Sequence, residues 1–347
     1  MTAIAAPVPS RLRLGPTAKV VAFTILALLA GVLIGPAGLS PRQVLLEIAD
    51  HVPLISVDSG LSEREAAIVW QLRVPRVMLG ALVGGVLAIS GGAFQGVFRN
   101  PLADPYLLGV AAGAGLGATI VIAVGLGTSG LLLPAAAFLG AVVAVLVTYS
   151  VGGLGGRRNS ATLILAGVAV ASFFTAMQTF VQQRSADTVR EVFSWILGRL
   201  STVGWAEVRL LLPYAIFSSV VLLASRRLLD VLAVGEEEAE TLGVRAARVR
   251  MLVVGAATLG TAAAVAVSGL IAFVGIIVPH GIRLLFGSSY RSVLPLSLIG
   301  GAGFLVLADL GARSILSPGE LPIGVVTAFV GAPFFALILR RAVRGDV

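Results

Sequence analysis

The sequence predicts an all-α integral membrane protein of ten spanning helices, one domain over residues 1–347, and three observations carry that prediction. Mean hydropathy is +1.01. Only 12% of the residues are charged, where a soluble surface needs roughly a quarter. Uncharged stretches recur at the length that a hydrocarbon core about 30 Å thick demands, about 20 residues each. Arginines gather at the ends of those stretches and not on one polar face, so the net charge of +8 reads as a topology signal and argues against a nucleic-acid partner.

The first span is the charge-free run from Val20 to Pro41, behind Arg11, Arg13 and Lys19. It is long for a signal peptide and lacks a small-residue cleavage site. Val77 to Phe98, bounded by Arg76 and Arg99, is the second. Residues 106–156 hold no charge and exceed one helix, so GLGTSG at 125–130 and Pro134 divide them into the third and fourth. Asn159 to Gln183 is the fifth and Trp205 to Ser225 the sixth; TVREVFSWILGRL between them is short and amphipathic and belongs at the outer surface. Met251 to Ile282 is long for one helix, and a turn near 268–273 with continuation to about Gly287 makes it the seventh and eighth. Ser292 to Ala308 and Leu321 to Leu339 complete the set.

With the amino terminus inside, even-numbered spans exit into the cytoplasm, which places Arg99, Arg157, Arg158, Arg226, Arg227, Arg245, Arg248 and Arg250 there. Arg340, Arg341 and Arg344 belong inside too, so both tails, 1–17 and 341–347, are cytoplasmic. Gly109, Gly113 and Gly117, like Gly80 and Gly84, recur at every fourth position and predict seams along which helices approach closely. Zero cysteines exclude disulfides and thiolate chemistry. His51 and His280 are too far apart for a metal cluster of the usual spacing. No catalytic triad, zinc-binding set or carboxylate pair falls at midplane, which disfavours an enzyme.

Residues 234–244, VGEEEAETLGV, concentrate four glutamates after the sixth span, on the cytoplasmic side. Glu236 to Leu242 has good helix propensity, first-turn glutamates suit the helix dipole, and Gly243 is a natural carboxy-terminal cap. A short helix presenting Ala239 and Leu242 on one side is expected; an ordinary solvated acidic loop is the alternative.

The blocks LRVPRVMLGALVGGVLAISGGAFQGVFRNPLADPYLLGVAAGAGLG, GEEEAETLGV, SGLIAFVGIIVPHGIRLLFG and ELPIGVVTAFVGAPFFALIL, in this order, resemble the signature blocks of permease subunits of type II ATP-binding-cassette importers, and the resemblance runs from Ala18 to Arg341. It implies a ten-helix subunit, paired with a second copy or near copy of itself, between two cytoplasmic ATPases and an external binding protein in a bacterial cytoplasmic membrane. It makes 234–244 the coupling helix, with Glu236, Glu237, Glu238, Ala239, Leu242 and Gly243 at the ATPase. The chain has no G-x-x-x-x-G-K-[ST] loop, so ATP and Mg are expected on that partner, with no cofactor and no catalysis here.

Arg73 and Arg76 flank Pro75 at the start of the second span, three apart on one helix face, where cations oppose the dipole. Interfacial snorkelling is one account. The resemblance implies another, in which Arg73, Arg76 and Arg313 meet glutamates on the two lobes of the binding protein. Arg313 also emerges outside, one turn after Asp309, with which it can pair. RNPLADP at 99–105 reads as a tight turn with Asn100 as a cap. The resemblance makes Asn100 and Leu102 one cytoplasmic gate, and Asn159 and Ser160 of NSAT the other. His280, beside Pro279 at a helix break, is expected to satisfy a free carbonyl in preference to ligating haem.

An ion-coupled secondary transporter is the competing reading. Its coupling ion needs ionisable residues at membrane depth, and Asp309, His280 and Arg283 all fall near expected helix ends. The cargo implied by the resemblance is an iron complex, haem or a ferric siderophore, or cobalamin, chosen mainly by the binding protein.

Overall fold

The computed structural model describes residues 14–51, 57–126, 130–153, 160–184, 188–200, 204–317 and 319–344, and among them every regular element is helical. The chain opens with α1 (Leu14–Leu33) and the short α2 (Pro41–Asp50). Next, α3 (Glu63–Ile68) starts at a capping box in which Ser62 and Glu65 satisfy each other's backbone N–H. It continues through one π turn, Val69–Arg73, into α4 (Val74–Phe98), which is buried along most of its length.

This differs from the expected start near Val77, and Pro75 is the reason. Proline supplies no N–H to the carbonyl four residues back, Gln71 O, and the π turn shifts the Val74 N–H to Val69 O, which frees Trp70 O as well. Both carbonyls are taken from another segment: Gly204 N donates to Gln71 O (2.7 Å) and the Trp205 indole N–H to Trp70 O (3.0 Å). Arg73 and Arg76 therefore lie inside a long helix, not at its amino terminus, and the dipole argument against them does not apply.

Helices α5 (Val110–Ala123) and α6 (Leu132–Gly152) meet along the glycine seam. A Cβ on Gly113 would strike the Gly140 carbonyl oxygen, and one on Gly117 the Ala136 carbonyl oxygen. Gly84 packs equally closely on Gly301. Gly109 is the exception: it precedes α5 with a left-handed φ of +83°, so it is a turn glycine and not a member of the seam.

The remaining helices are α7 (Ser160–Arg184), α8 (Val189–Ile196), α9 (Ala206–Val234), α10 (Glu236–Thr241), α11 (Ala246–Ser268), α12 (Val274–Phe286), α13 (Tyr290–Ser314) and α14 (Ile323–Arg344). The break between α11 and α12 falls at 269–273, where the turn was expected. Segment 197–200 behind α8 covers this break: Arg199 N donates to Ser268 O (2.8 Å), and Gly324 N donates to Leu197 O (3.1 Å). Within α12, Pro279 frees Gly275 O, which accepts from the buried Gln95 amide of α4 (3.0 Å).

Among the described residues, six helical segments, Glu63–Phe98, Leu132–Gly152, Ala161–Arg184, Ala206–Val234, Ala246–Ser268 and Tyr290–Ser314, are long and apolar enough to cross a bilayer. Four shorter apolar helices accompany them, at Thr17–Leu33, Val110–Ala123, Val274–Phe286 and Ile323–Leu337.

Candidate functional site

Helix α13 connects two charged regions. Its first residue, Tyr290, and Asp309 are separated by roughly 28 Å of helix at 1.5 Å per residue. At the Asp309 end, the Arg76 guanidinium is gripped on two edges. Its Nε donates to Asp309 Oδ1 (3.0 Å) and Oδ2 (3.1 Å), and Nη2 donates to Oδ1 (2.8 Å). On the other edge, Nη1 donates to Glu320 Oε1 (2.8 Å) and Nη2 to Oε2 (3.0 Å). Two forked carboxylate contacts are the strongest pairing a guanidinium makes. Arg76 in turn holds the Glu320 carboxyl below the usual carboxylate range.

Arg73 and Arg313 turn inward. Arg73 Nη1 donates to Val32 O (3.2 Å) and Leu33 O (3.3 Å), and Arg313 Nη2 to Gly31 O. They cover the open carbonyls at the end of α1, where positive charge complements the helix dipole. Arg313 Nε also lies 3.4 Å from Asp309 Oδ2, the pairing expected from their one-turn spacing. Both arginines are 4% exposed, and Arg73 Nε and Nη2 are buried without an acceptor among the described residues. Three arginines against two carboxylates leave one net positive charge.

The structure brings together the three arginines that the resemblance assigns to a partner. Each is already engaged within the chain, because the early start of α3 and the packing of α1 enclose them. The residue that sequence reasoning missed is Glu320. Its signal was available: a lone acid in the loop before the last helix, at the same end as three arginines.

At the Tyr290 end, α10 closes as expected on Gly243 (φ +80°), with Val244 N donating to Ala239 O and Gly243 N to Glu240 O, both 2.9 Å. Ala239 and Leu242 do not share a side, however. Ala239 is 0% exposed, the residue through which α10 seats on the bundle, whereas Leu242 is 68% exposed. Glu236 forms an ion pair with Arg250 of α11, which ties the first turn to the chain. The Glu238 carboxylate folds back against Gly235, at the position a side chain there would occupy. Glu237, Glu240 and Leu242 make up the free face.

One turn before α10, Asp230 of α9 caps α13: it accepts from Tyr290 N (2.6 Å) and Ser289 Oγ (3.0 Å), and Arg291 Nε lies 3.4 Å away. Arg283 of α12 donates to Gln95 Oε1 of α4 and to Tyr290 Oη (3.4 Å). Helices α4, α9, α12 and α13 are thus cross-linked beside α10.

The loop 99–109 follows Arg99, whose left-handed φ of +49° ends α4. Asn100 Oδ1 accepts from Leu102 N (2.9 Å), so Asn100 shapes the turn, and Leu102 is exposed beside it. Ser160 is the first residue of α7; Asn159, expected to join it in the second gate, lies outside the described residues. Further along the loop, Asp104 Oδ1 accepts from Tyr106 N (2.7 Å), and the Tyr106 hydroxyl donates to Ile271 O (3.0 Å). Burial pushes the Asp104 carboxyl up to about 6, against the smaller opposing effect of that backbone N–H. Asp104, Gly167, Ala171, Phe273 and Ile276 line a cavity of about 380 Å³.

His280 Nδ1 does not satisfy a carbonyl and is buried without a hydrogen-bond partner among the described residues; its ring meets Phe334 edge-on at 6.0 Å between centroids. Among the described residues, no group of three or more His, Asp or Glu side chains is placed to hold a metal ion.

Long apolar helices joined by close glycine seams, with a capped acidic helix beside one end, define a multi-pass membrane protein. The sequence matches the FecCD transport family over residues 23–341, and the chain belongs to that family. It is 42% identical over 306 residues to the cobalamin import system permease BtuC of Halobacterium salinarum, covering 86% of this chain and 80% of the relative. The hemin transport system permease HmuU of Yersinia pestis is 39% identical over 282 residues, 79% and 84% of the two chains. A solved structure, an inward-facing conformation of a metal-chelate type ABC transporter, superposes with a TM-score of 0.80 at 29% identity over 94% of this chain and 98% of the other. Family membership makes the chain a non-catalytic transport subunit.

Proposed function

We propose that the chain is the membrane half of an ATP-driven importer that receives an iron complex, haem or a ferric siderophore, or cobalamin from an external binding protein and releases it inside. Two copies of the chain form the pathway and two ATPases bind ATP and Mg beneath it. All ten apolar helices cross the membrane, with both termini and α10 inside.

The observation that carries this reading is α10. A helix seated through Ala239, capped at Gly243 and tied to α11 through Glu236 presents Leu242, Glu237 and Glu240 outward. That is a rigid, exposed ridge suited to a second protein, and its partner is the ATPase. Asn100 and Leu102, with Asn159 and Ser160, gate the cytoplasmic mouth. The Arg76 end faces outward and receives the binding protein. Relatives named for cobalamin and hemin support the cargo class.

The test is uptake into vesicles containing the chain, its ATPase and its binding protein, with haem, a ferric siderophore and cobalamin offered side by side. Uptake of one cargo that requires ATP is expected; equal uptake without nucleotide would establish a secondary transporter instead.

A further inference from the structure

We infer that Glu320 is an exchangeable stand-in carboxylate, which occupies the outer edge of Arg76 until a carboxylate of a docking protein replaces it. The inference rests on the docking reading above and names the group at which docking occurs.

The two acids on Arg76 are unlike each other. The Asp309 side chain is 4% exposed, sits within the carboxy-terminal part of α13 and faces Arg313 as well. The Glu320 side chain is 44% exposed and stands on the loop between α13 and α14. The backbone beside it is pinned, Leu321 N to Ala312 O (2.9 Å) and Gly319 N to Leu316 O (2.8 Å), and from that anchor its half-exposed side chain reaches Arg76. Asp309 is thus a fixed partner and Glu320 a replaceable one.

Exchange also resolves how buried arginines can serve a docking surface. Arg76 is only 14% exposed, so leaving its outer edge bare would strand a charge among apolar helices. In an exchange it is never bare. The incoming carboxylate accepts the Nη1 and Nη2 protons that Glu320 releases, and Glu320 moves into water. Two hydrogen bonds break and two of the same kind form, so the net gain is small and the complex separates readily. The fitting partner is a protein loop bearing an exposed glutamate or aspartate.

The experiment uses the purified full chain in lipid nanodiscs, with hexaglutamate peptide as probe and hexaglutamine as control. E320Q is expected to bind hexaglutamate about fivefold more tightly than the unaltered chain, the factor an exposed ion pair contributes at the upper end of its range. Hexaglutamine binding should not change, and the gain should vanish in the double variant R76Q/E320Q. Phenylglyoxal labelling provides a second measurement, with Arg76 modified faster in E320Q. Equal hexaglutamate affinity of E320Q and the unaltered chain, a gain that survives in R76Q/E320Q, or equal protection of Arg76 from phenylglyoxal would each overturn the inference. A tightened peptide complex alongside binding-protein docking that ignores Arg76 leaves the exchange standing and refutes the docking reading alone.

Discussion

At the Arg76 end, charged side chains point at one another; on α10, Glu237 and Glu240 lie on an exposed face. Arg76, Asp309 and Glu320 form two forked contacts, and Arg73 and Arg313 cap α1 from within the bundle. Among the described residues, Glu236 is the one member of α10 committed to an ion pair. The difference teaches which parts of a membrane protein's scarce charge serve the fold and which are free for a partner. Charges enclosed by apolar helices must be matched where they stand, since an unmatched one costs far more than the pair gains. Charges on a projecting helix remain solvated and cost the fold little.

The largest break in this comparison is expected at Asp309. Asp309→Asn keeps the shape but leaves Arg76 and Arg313 short of a buried counter-charge, and loss of a buried partner costs about 3–5 kcal/mol. Thermal unfolding in detergent should fall steeply, whereas Glu320→Gln, on the half-exposed edge, should move it by no more than about 1 kcal/mol. Equal effects of the two variants would mean that burial does not separate the two acids.

Much of this arrangement was legible in the chain. The turn at 269–273 showed itself as a hydrophobic run too long for one helix with Gly269 inside it, and α10 as a glutamate run that ends on Gly243. Those signals are local. The start of α3 was hidden because Pro75 looks like a first-turn residue, and only the π turn with distant donors at Gly204 and Trp205 lets the helix run through it. Gly109 fits the every-fourth spacing of its neighbours, and only its left-handed φ marks it as a turn. The pairing of Arg76 with Glu320 spans 244 positions, which no spacing rule can read. Ala239 and Leu242 are three apart, a spacing that predicts one side, but the tight closure over Gly243 turns Leu242 away from the surface on which Ala239 sits.

Asp104 sharpens the comparison as a third case, a carboxylate enclosed without an ion pair among the described residues. Its folded value of about 6 lies above the ordinary value near 3.9. Folding therefore favours the protonated form: the stabilisation is fully present below about pH 4 and is lost as pH rises through 6. Asp104→Asn retains an acceptor for Tyr106 N and removes the titration. It should stabilise the chain at pH 7.5 by on the order of 2 kcal/mol, with the difference fading toward pH 4. A parallel pH dependence of unfolding in both forms would show that Asp104 does not carry it.

The smallest effect on stability belongs to the free face of α10. Leu242→Arg adds charge to a side chain already in water, so unfolding should shift by no more than about 0.5 kcal/mol. Association with the ATPase should nevertheless be lost, because a bulky cation replaces the apolar tip of the ridge. Ala239→Arg should behave oppositely: it forces a long cation into the seat of α10, so the helix detaches and unfolding is destabilised by about 1–3 kcal/mol or more. Measuring co-purified ATPase and unfolding temperature for both variants separates a contact that belongs to the partner from one that belongs to the fold. If L242R retains the ATPase, the exposed ridge is not the coupling surface, and the contrast between the two ends loses its functional half.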